Sequence, residues 1–292
     1  MKKKTPYIFI FDIDNCIIGN VEYPIMESQI LDLVKIACNK NKISNQCKKK
    51  INFVNTLKKG LLRPYFINFV KFIKKKYKHI ELFVYTNSTY GWTYGGLVEN
   101  IEKASKVKFN KPYFTRENSH QSQYYQKILS NVFKIIISKL QNKYKILKNK
   151  KEALKIFNNN VVFIDDIKDN LFDFPKKQIV CTKYEFSKPY DIIKKIKSEN
   201  KKVKHKTFED EELKKYIKLY VKSPFKFKDT SKKEYKIQKL LWNYYNKNDE
   251  NIKKDYFYKN LIKIIKKHKI NSYDVKNIKL INDEVASLYK ML

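Results

Sequence analysis

Three short apolar runs punctuate the chain, and each stops at a cluster of small polar or acidic residues. They are "YIFIFDID" at residues 7–14, "ELFVYTNS" at 81–88 and "VVFIDD" at 161–166. None alternates apolar with polar, which is the pattern of strands buried on both faces. "QIVCT" (178–182) reads as a short fourth strand. Between the runs the apolar period changes to that of a helix. Phe66, Phe69, Val70, Ile73 and Tyr77 share one face, with Pro64 near the helix start. Leu97, Val98 and Ile101 predict another helix after the glycines at 91, 95 and 96. Tyr124 to about Phe157 reads as strongly helical with one interruption near Asn149, and Ile30, Val34, Ala37 and Cys38 form a face after the Gly19-Asn20 turn. Strands alternating with helices predict a doubly wound parallel α/β sheet. The crevice of such a sheet lies beyond the carboxyl ends of its strands, where all three polar clusters fall.

The alternation stops near residue 191. Leu213, Tyr216, Ile217, Tyr220 and Val221 predict an amphipathic helix, and "SKKEYKIQKLLWNYY" a second, opened by a Ser231/Glu234 capping box. "FYKNLIKIIKKHK" and "DEVASLYKML" add two more. The division expected is an α/β domain over 1–190 and a lysine-rich C-terminal α-helical appendage over 191–292, entered through the linker "IIKKIKSENKKVKHK". No internal repeat is visible.

Composition changes this picture only modestly. The 292 residues are 42% hydrophobic and 15% aromatic, enough for a substantial core, which excludes a disordered tail. The formal net charge of +35 invites a nucleic acid, membrane or acidic partner, but Arg63 and Arg116 are the only arginines. Abundant Lys, Asn, Ile and Tyr fit an A/T-rich coding bias, and a phosphate reader would keep more of arginine's bidentate forks. Charge is therefore a weak guide. Cys16, Cys38, Cys47 and Cys181 show no CxxC spacing, which predicts a reducing compartment. The opening "MKKKTPYIFIF" imitates a signal peptide, but Asp12 and Asp14 interrupt its apolar run and no small-residue cleavage site follows. No stretch has the length of a membrane span. The expectation is a soluble intracellular protein, cytoplasmic or nuclear, with no membrane partner.

The aspartate pairs carry the chemistry. An EF-hand reading of Asp12-x-Asp14 fails, because Cys16, Ile17 and Tyr23 stand where oxygen, glycine and a distant glutamate are needed. Two aspartates capping a turn is the plain alternative for a lone pair. The second pair, Asp165-Asp166, weakens it, since like charges at one sheet edge repel unless a cation joins them.

Asp12-Ile13-Asp14-Asn15-Cys16 resembles the DxDx(T/V) signature of the haloacid dehalogenase (HAD) superfamily of aspartate-based phosphatases. "FVYTNS" resembles its second motif, a Ser or Thr ending a strand, and "VVFIDD" its acidic metal-binding pair. Within the superfamily, "LLRPYFINFVKFIKK…ELFVYTNSTYGW" is similar to the RP-x-x-x-x-F…T segment of FCP/SCP-type (NLI-interacting-factor-like) phosphatases, whose substrates are protein phosphoserines. Lysine-rich members of this type also occur in large DNA viruses, which adds a virion to the expected locations. The resemblance covers roughly residues 5–190 and implies a HAD-like Rossmannoid fold, Mg²⁺ and an aspartyl-phosphate intermediate.

Residue by residue, the resemblance implies Asp12 as nucleophile and metal ligand. Asp14 becomes the general acid and then base, its backbone carbonyl a ligand, and Asp165 and Asp166 complete the metal set. Thr86 and the amide of Asn87 would hold phosphoryl oxygens. "YYQKILS" resembles the context of the family lysine, which points to Lys127, with Lys148 and Lys151 as alternatives because Lys127 lies unusually far from Asp165. Arg116 in "FTREN" resembles an arginine that contacts substrate or pairs structurally. Two departures stand out: Cys16 replaces the usual Thr or Val, and "DDIKDN" lacks the following Ser-Pro, leaving Asp169 or Asn170 as an outer contact. Retention of Asp14 favours phosphatase chemistry over that of dehalogenases or transport ATPases.

The leading expectation is an Mg²⁺-dependent phosphatase of protein phosphoserine or phosphothreonine. About forty residues separate the first strand from "LLRP", too few for a large lid, so the crevice should admit a macromolecular chain. The same chemistry on nucleic-acid 5′ or 3′ phosphate ends, helped by the basic surface or the C-terminal region, is the second reading. The third is a non-catalytic scaffold that keeps the fold.

Overall fold

The computed structural model describes residues 4–19, 53–119, 125–184 and 255–290. The chain divides into two compact units: one comprises 1–19, 57–185 and 254–292, the other 20–56 and 186–253. Of the second unit only 53–56 are described, and Phe53–Thr56 form a single helical turn. The helices expected at 30–38, 213–221 and 231–245 lie outside the described residues.

Four strands of the first unit form a parallel sheet: β1 (Tyr7–Phe11), β2 (Ile80–Val84), β3 (Val161–Asp165) and β4 (Gln178–Val180), in the order β2-β1-β3-β4. Among the described residues six helices of eight residues or more accompany them: α1 (Phe66–Lys76), α2 (Val98–Ser105), α3 (Leu129–Leu140), α4 (Lys150–Asn160), α5 (Phe257–Lys267) and α6 (Val275–Lys290). Successive strand side chains alternate between faces. On one face Ile8, Ile10, Phe83, Val161 and Phe163 meet the apolar stripes of α3 and α4, through Leu129, Val132, Ile136, Ala153 and Ile156. On the other, Phe9 and Phe11 pack edge-on against Phe69 and Phe66 of α1 at 6.1 and 5.6 Å between ring centroids. Tyr258 of α5 lies against the same two rings at 5.2 and 5.3 Å, and Tyr273 against Phe9 at 5.1 Å. Helices thus cover both faces, the α/β doubly wound class that the strand-helix alternation predicts.

The C-terminal region differs from the expected division at 190. Residues 255–290 belong to the same compact unit as the sheet. The cause is apolar: Tyr258, Leu261, Ile265, Tyr273 and Ile281 are fully buried, so α5 and α6 complete the core. An amphipathic lysine-rich helix reads as part of an appendage when the sheet face it packs on is not visible along the sequence.

The helix expected from Tyr124 also differs. Residue 124 lies outside the described residues, and α3 begins only at Leu129. Ahead of it Lys127 runs beside Leu171, donating its N–H to Asn170 O (2.8 Å) and accepting at its carbonyl from Phe172 N (2.9 Å). The Asp173 carboxylate then accepts from the N–H groups of Leu129 and Ser130 at 2.9 and 2.8 Å. An acid from a distant loop caps the helix and sets its start, information absent from the local pattern. At the expected interruption, the Asn149 side chain accepts from Glu152 N (3.1 Å) and opens α4.

Register positions the site. Phe11 pairs with both Val84 and Ile164. The residue after each strand end therefore emerges at one level: Asp12 after β1, Tyr85 after β2 and Asp165 closing β3. β2 and β3 lie on opposite sides of β1, so the chain leaves adjacent carboxyl ends in opposite directions, which opens a crevice between β1 and β3.

Candidate active site

Asp12 is the first residue past β1, its N–H bonded to Ile164 O at 2.9 Å. Beside it the Lys127 ammonium donates to Asp12 Oδ1 at 2.6 Å and to Asp165 Oδ2 at 2.7 Å. The lysine is only 1% exposed, its Nζ lying 5.0 Å from the Phe163 ring centroid and 5.5 Å from that of Tyr85. Asp165 also accepts from Ile167 N (2.8 Å) at Oδ1 and from Asn170 Nδ2 (2.8 Å) at Oδ2, which fixes both oxygens. One carboxylate oxygen each from Asp12, Asp165 and Asp166 lie within 4.8 Å of one another.

The electrostatics follow from this crowding. Burial pushes Asp12 well above the usual carboxylate range; Lys127 opposes the shift, while Asp165 and Asp14 add to it. Asp166 is pushed up to about 6, first by burial and then by Asp165. Burial works against the Lys127 charge, but the two carboxylates overcome it and hold the ammonium above the ordinary lysine value. Three carboxyl groups face one ammonium, so with all three ionised two negative charges are uncompensated, and the raised pKa values of Asp12 and Asp166 express that deficit. A divalent cation matches that deficit, and an all-oxygen donor set suits a hard ion such as Mg²⁺.

The other expected residues line the same strand edge. Asp14 is partly buried, and its Oδ2 accepts from Ser88 Oγ at 3.3 Å. Among the described residues the acidic cluster comprises Asp12, Asp165 and Asp166, and the Asp14 carboxylate is not part of it. Thr86 is fully buried; its Oγ1 accepts from Ser88 N at 3.1 Å, which leaves its own proton to give. Asn87 is braced twice: its carbonyl accepts from Arg116 Nε at 2.9 Å and its Oδ1 from Ser119 Oγ at 3.2 Å. Arg116 is exposed, its guanidinium 4.8 Å from the Tyr125 ring centroid, so the described contacts assign it bracing of the Asn87 loop. Of the three candidate lysines, Lys127 alone reaches the carboxylates, while Lys148 and Lys151 are exposed.

Tyr85 was given no role by the sequence reading, and Ser88 and Arg63 entered it only as members of quoted motifs. Ser88 orients Asp14, and Tyr85 accepts from Ile128 N at 3.0 Å, fixing the segment that carries Lys127. Between Asp169 and Asn170, it is Asn170 that reaches Asp165. Arg63, 1% exposed, donates to the carbonyls of Asn15 (3.0 Å) and Thr182 (2.7 Å) and pairs with Asp255 at 2.7 Å. It thereby ties the turn after Asp14 to the chain ahead of α5. Cys16 fits its unusual position as a buried thiol donating to Ile164 O at 3.4 Å; Cys16 and Cys181 are both free, and Cys38 and Cys47 lie outside the described residues. No helix among the described residues is long and apolar enough to cross a membrane.

No family model matches the chain, and neither does any curated protein. The solved structures to which it is similar include two of one phosphatase. One is the structure of Fcp1, an essential RNA polymerase II CTD phosphatase, at 16% identity and a TM-score of 0.40, covering 90% of this chain and 62% of that one. The other is fission yeast RNA polymerase II CTD phosphatase Fcp1, an arginine-to-alanine variant bound to beryllium fluoride, at 14% identity and a TM-score of 0.36. It covers 92% of this chain and 68% of that one. The chain thus spans somewhat less than two thirds of the first of these structures.

Proposed function

We propose that this chain is an aspartate-based phosphatase that hydrolyses phosphomonoesters through an aspartyl-phosphate on Asp12. The observation that carries the reading is the buried ammonium of Lys127 shared between Asp12 and Asp165, with Asp166 alongside, at the strand edge where a doubly wound sheet places its site. A structural ion pair needs one carboxylate per ammonium; the surplus acid here calls for a cation and a reason to hold it. Asp12, Asp165 and Asp166 would hold Mg²⁺, which supplies charge neutralisation for an incoming phosphate dianion and for the crowded acids.

A carboxylate oxygen of Asp12 attacks phosphorus in line, forming a P–O bond as the ester P–O bond breaks. Asp14, oriented by Ser88, delivers a proton to the leaving alkoxide. It then takes a proton from a water whose oxygen displaces Asp12 and releases inorganic phosphate. Lys127 offsets charge on Asp12 and the phosphoryl group together, and the Thr86 hydroxyl donates to a phosphoryl oxygen as its charge grows. The substrate read from this rim is phosphoserine or phosphothreonine within a protein. Tyr90 and Trp92, in the loop after β2, are 58% and 37% exposed, and Tyr125 near Lys127 is 41% exposed, giving apolar surface for residues flanking the phosphate.

The test is Mg²⁺-dependent hydrolysis of para-nitrophenyl phosphate and of a phosphoserine peptide, wild type beside Asp12→Asn. The variant should lose at least about a thousandfold in kcat while folding normally. Equal activity in the two proteins defeats the assignment.

A further inference from the structure

The side of the sheet covered by α1 and α5 presents a surface that the site does not use. Lys71, Lys74 and Lys75 are exposed on α1, and Lys259, Lys263 and Lys266 on α5, each set at helical one-face spacing. The opposite stripes of both helices are buried in the aromatic core. The two lysine rows are neighbours: Lys266 Nζ lies 5.6 Å from the Phe72 ring centroid, and Lys259 Nζ 5.5 Å from that of Tyr65. Neither helix contains an acidic residue. Among the described residues no salt bridge engages these six ammonium groups, whereas Lys267 next to them is paired with Glu284 at 2.7 Å. Elsewhere the pattern weakens: α3 is also free of acids but exposes only Lys134 and Lys139, and α4 carries Glu152. The exposed face of α2 pairs Lys103 with Glu99 at 2.6 Å, and α6 exposes Asp283 beside its lysines. Coding bias supplies lysine everywhere; it does not remove acids from two adjacent helices and leave a continuous positive strip.

We propose that this α1/α5 face docks the sugar–phosphate backbone of duplex nucleic acid without reading its sequence. Charge complementarity requires a dense polyanion, and duplex backbones carry about one charge per 1.7 Å of axis. Lysine supplies point charges rather than the planar forks that read base edges, which fits backbone docking. The aromatic rings beside the strip, Tyr65, Phe72 and Tyr256, are partly buried and already carry lysine ammonium groups, so they offer little open face on which splayed single-stranded bases would stack. An acidic protein partner would ordinarily bring apolar anchors, and this strip offers them no exposed apolar residue.

The experiment measures binding of the full chain to a fluorescent DNA duplex of arbitrary sequence, by anisotropy over a salt series. One variant changes Lys71, Lys74, Lys75, Lys259, Lys263 and Lys266 to Gln. A control changes six exposed lysines on the opposite helices and the turn between them (134, 139, 148, 150, 151 and 155) to Gln, so that net charge falls equally. All positions are exposed, so both proteins should fold. The first variant should lose at least about tenfold in affinity at low salt, with a log–log salt slope shallower by roughly 0.9 for each phosphate contact removed, while the control stays within about twofold of wild type. Equal losses in the two variants, or none in either, overturn the proposal. So does tighter binding of poly-glutamate or of anionic phosphatidylserine vesicles than of the duplex by the same face.

Discussion

Among the described residues two lysines are almost wholly buried, and they sit at opposite ends of β3. Lys127, at the carboxyl end, lies between Asp12 and Asp165. Lys177, near the amino end, donates to two carbonyls among the described residues: Asn158 O at 3.0 Å, in the last turn of α4, and Tyr273 O at 2.6 Å. Burial disfavours the charge of both. At Lys127 two carboxylates more than offset it, whereas at Lys177 burial wins over the distant Asp274 and the pKa falls to about 8. The same residue type, packed beside the two ends of one strand, is thus firmly held as a cation at one end and loses its charge above about pH 8 at the other. Only the carboxyl edge is built to hold a full charge, which is the property phosphoryl chemistry needs and a packing contact does not.

The largest effect should come from breaking the supported cation. Lys127→Met leaves three acids facing one another, so the metal-free protein should lose about 3–5 kcal/mol of stability, the cost of orphaning buried charge. Millimolar Mg²⁺ should restore much of the lost Tm, because the ion binds the folded state alone. Phosphatase turnover should fall at least about a thousandfold and stay low with Mg²⁺. Melting curves with and without Mg²⁺ decide the point; a variant as stable as wild type without the ion means the acids do not repel.

Arg63 is the intermediate case, a buried cation resting on a single carboxylate. Asp255→Asn keeps the shape and removes that charge, and should cost about 3 kcal/mol in urea unfolding. Amides of the turn after Asp14 should also exchange faster, because Arg63 holds the Asn15 carbonyl. Unchanged exchange at residues 16–18 would show that the clasp stabilises α5 without fixing the turn.

The same contrast explains how far the sequence could be read. Asp12, Asp14, Thr86 and Asp165 were legible because each ends an apolar run, and parallel pairing delivers strand ends to one edge. Lys127 was recoverable only from its resemblance-bearing context, since nothing local distinguishes it from its exposed neighbours. Its burial arises from pairing with Leu171 and from the Asp173 cap, both supplied by a segment some forty residues away. The roles of Lys177 and Arg63, and the sheet face that the amphipathic α5 and α6 cover, were illegible for a related reason. Their partners are distant along the chain, and a lysine-rich helix looks solvated until the sheet face it covers is known.

The smallest effect tests the unsupported lysine. The folded pKa of Lys177 is about 8, below its unfolded value of about 10.5. Below pH 8 both states are protonated, and the folded state bears the full cost of a buried cation. Between pH 8 and about 10.5 the unfolded chain retains a proton that the folded chain has released, so this group's contribution to stability rises with pH. Lys177→Met removes the titration, so wild-type stability measured against the variant should improve by about 2–3 kcal/mol between pH 7 and pH 10. Taking the difference cancels the tyrosines that begin to ionise in the same range. Parallel wild-type and variant curves would mean that Lys177 keeps its charge when folded, and the distinction between the two ends of β3 would collapse.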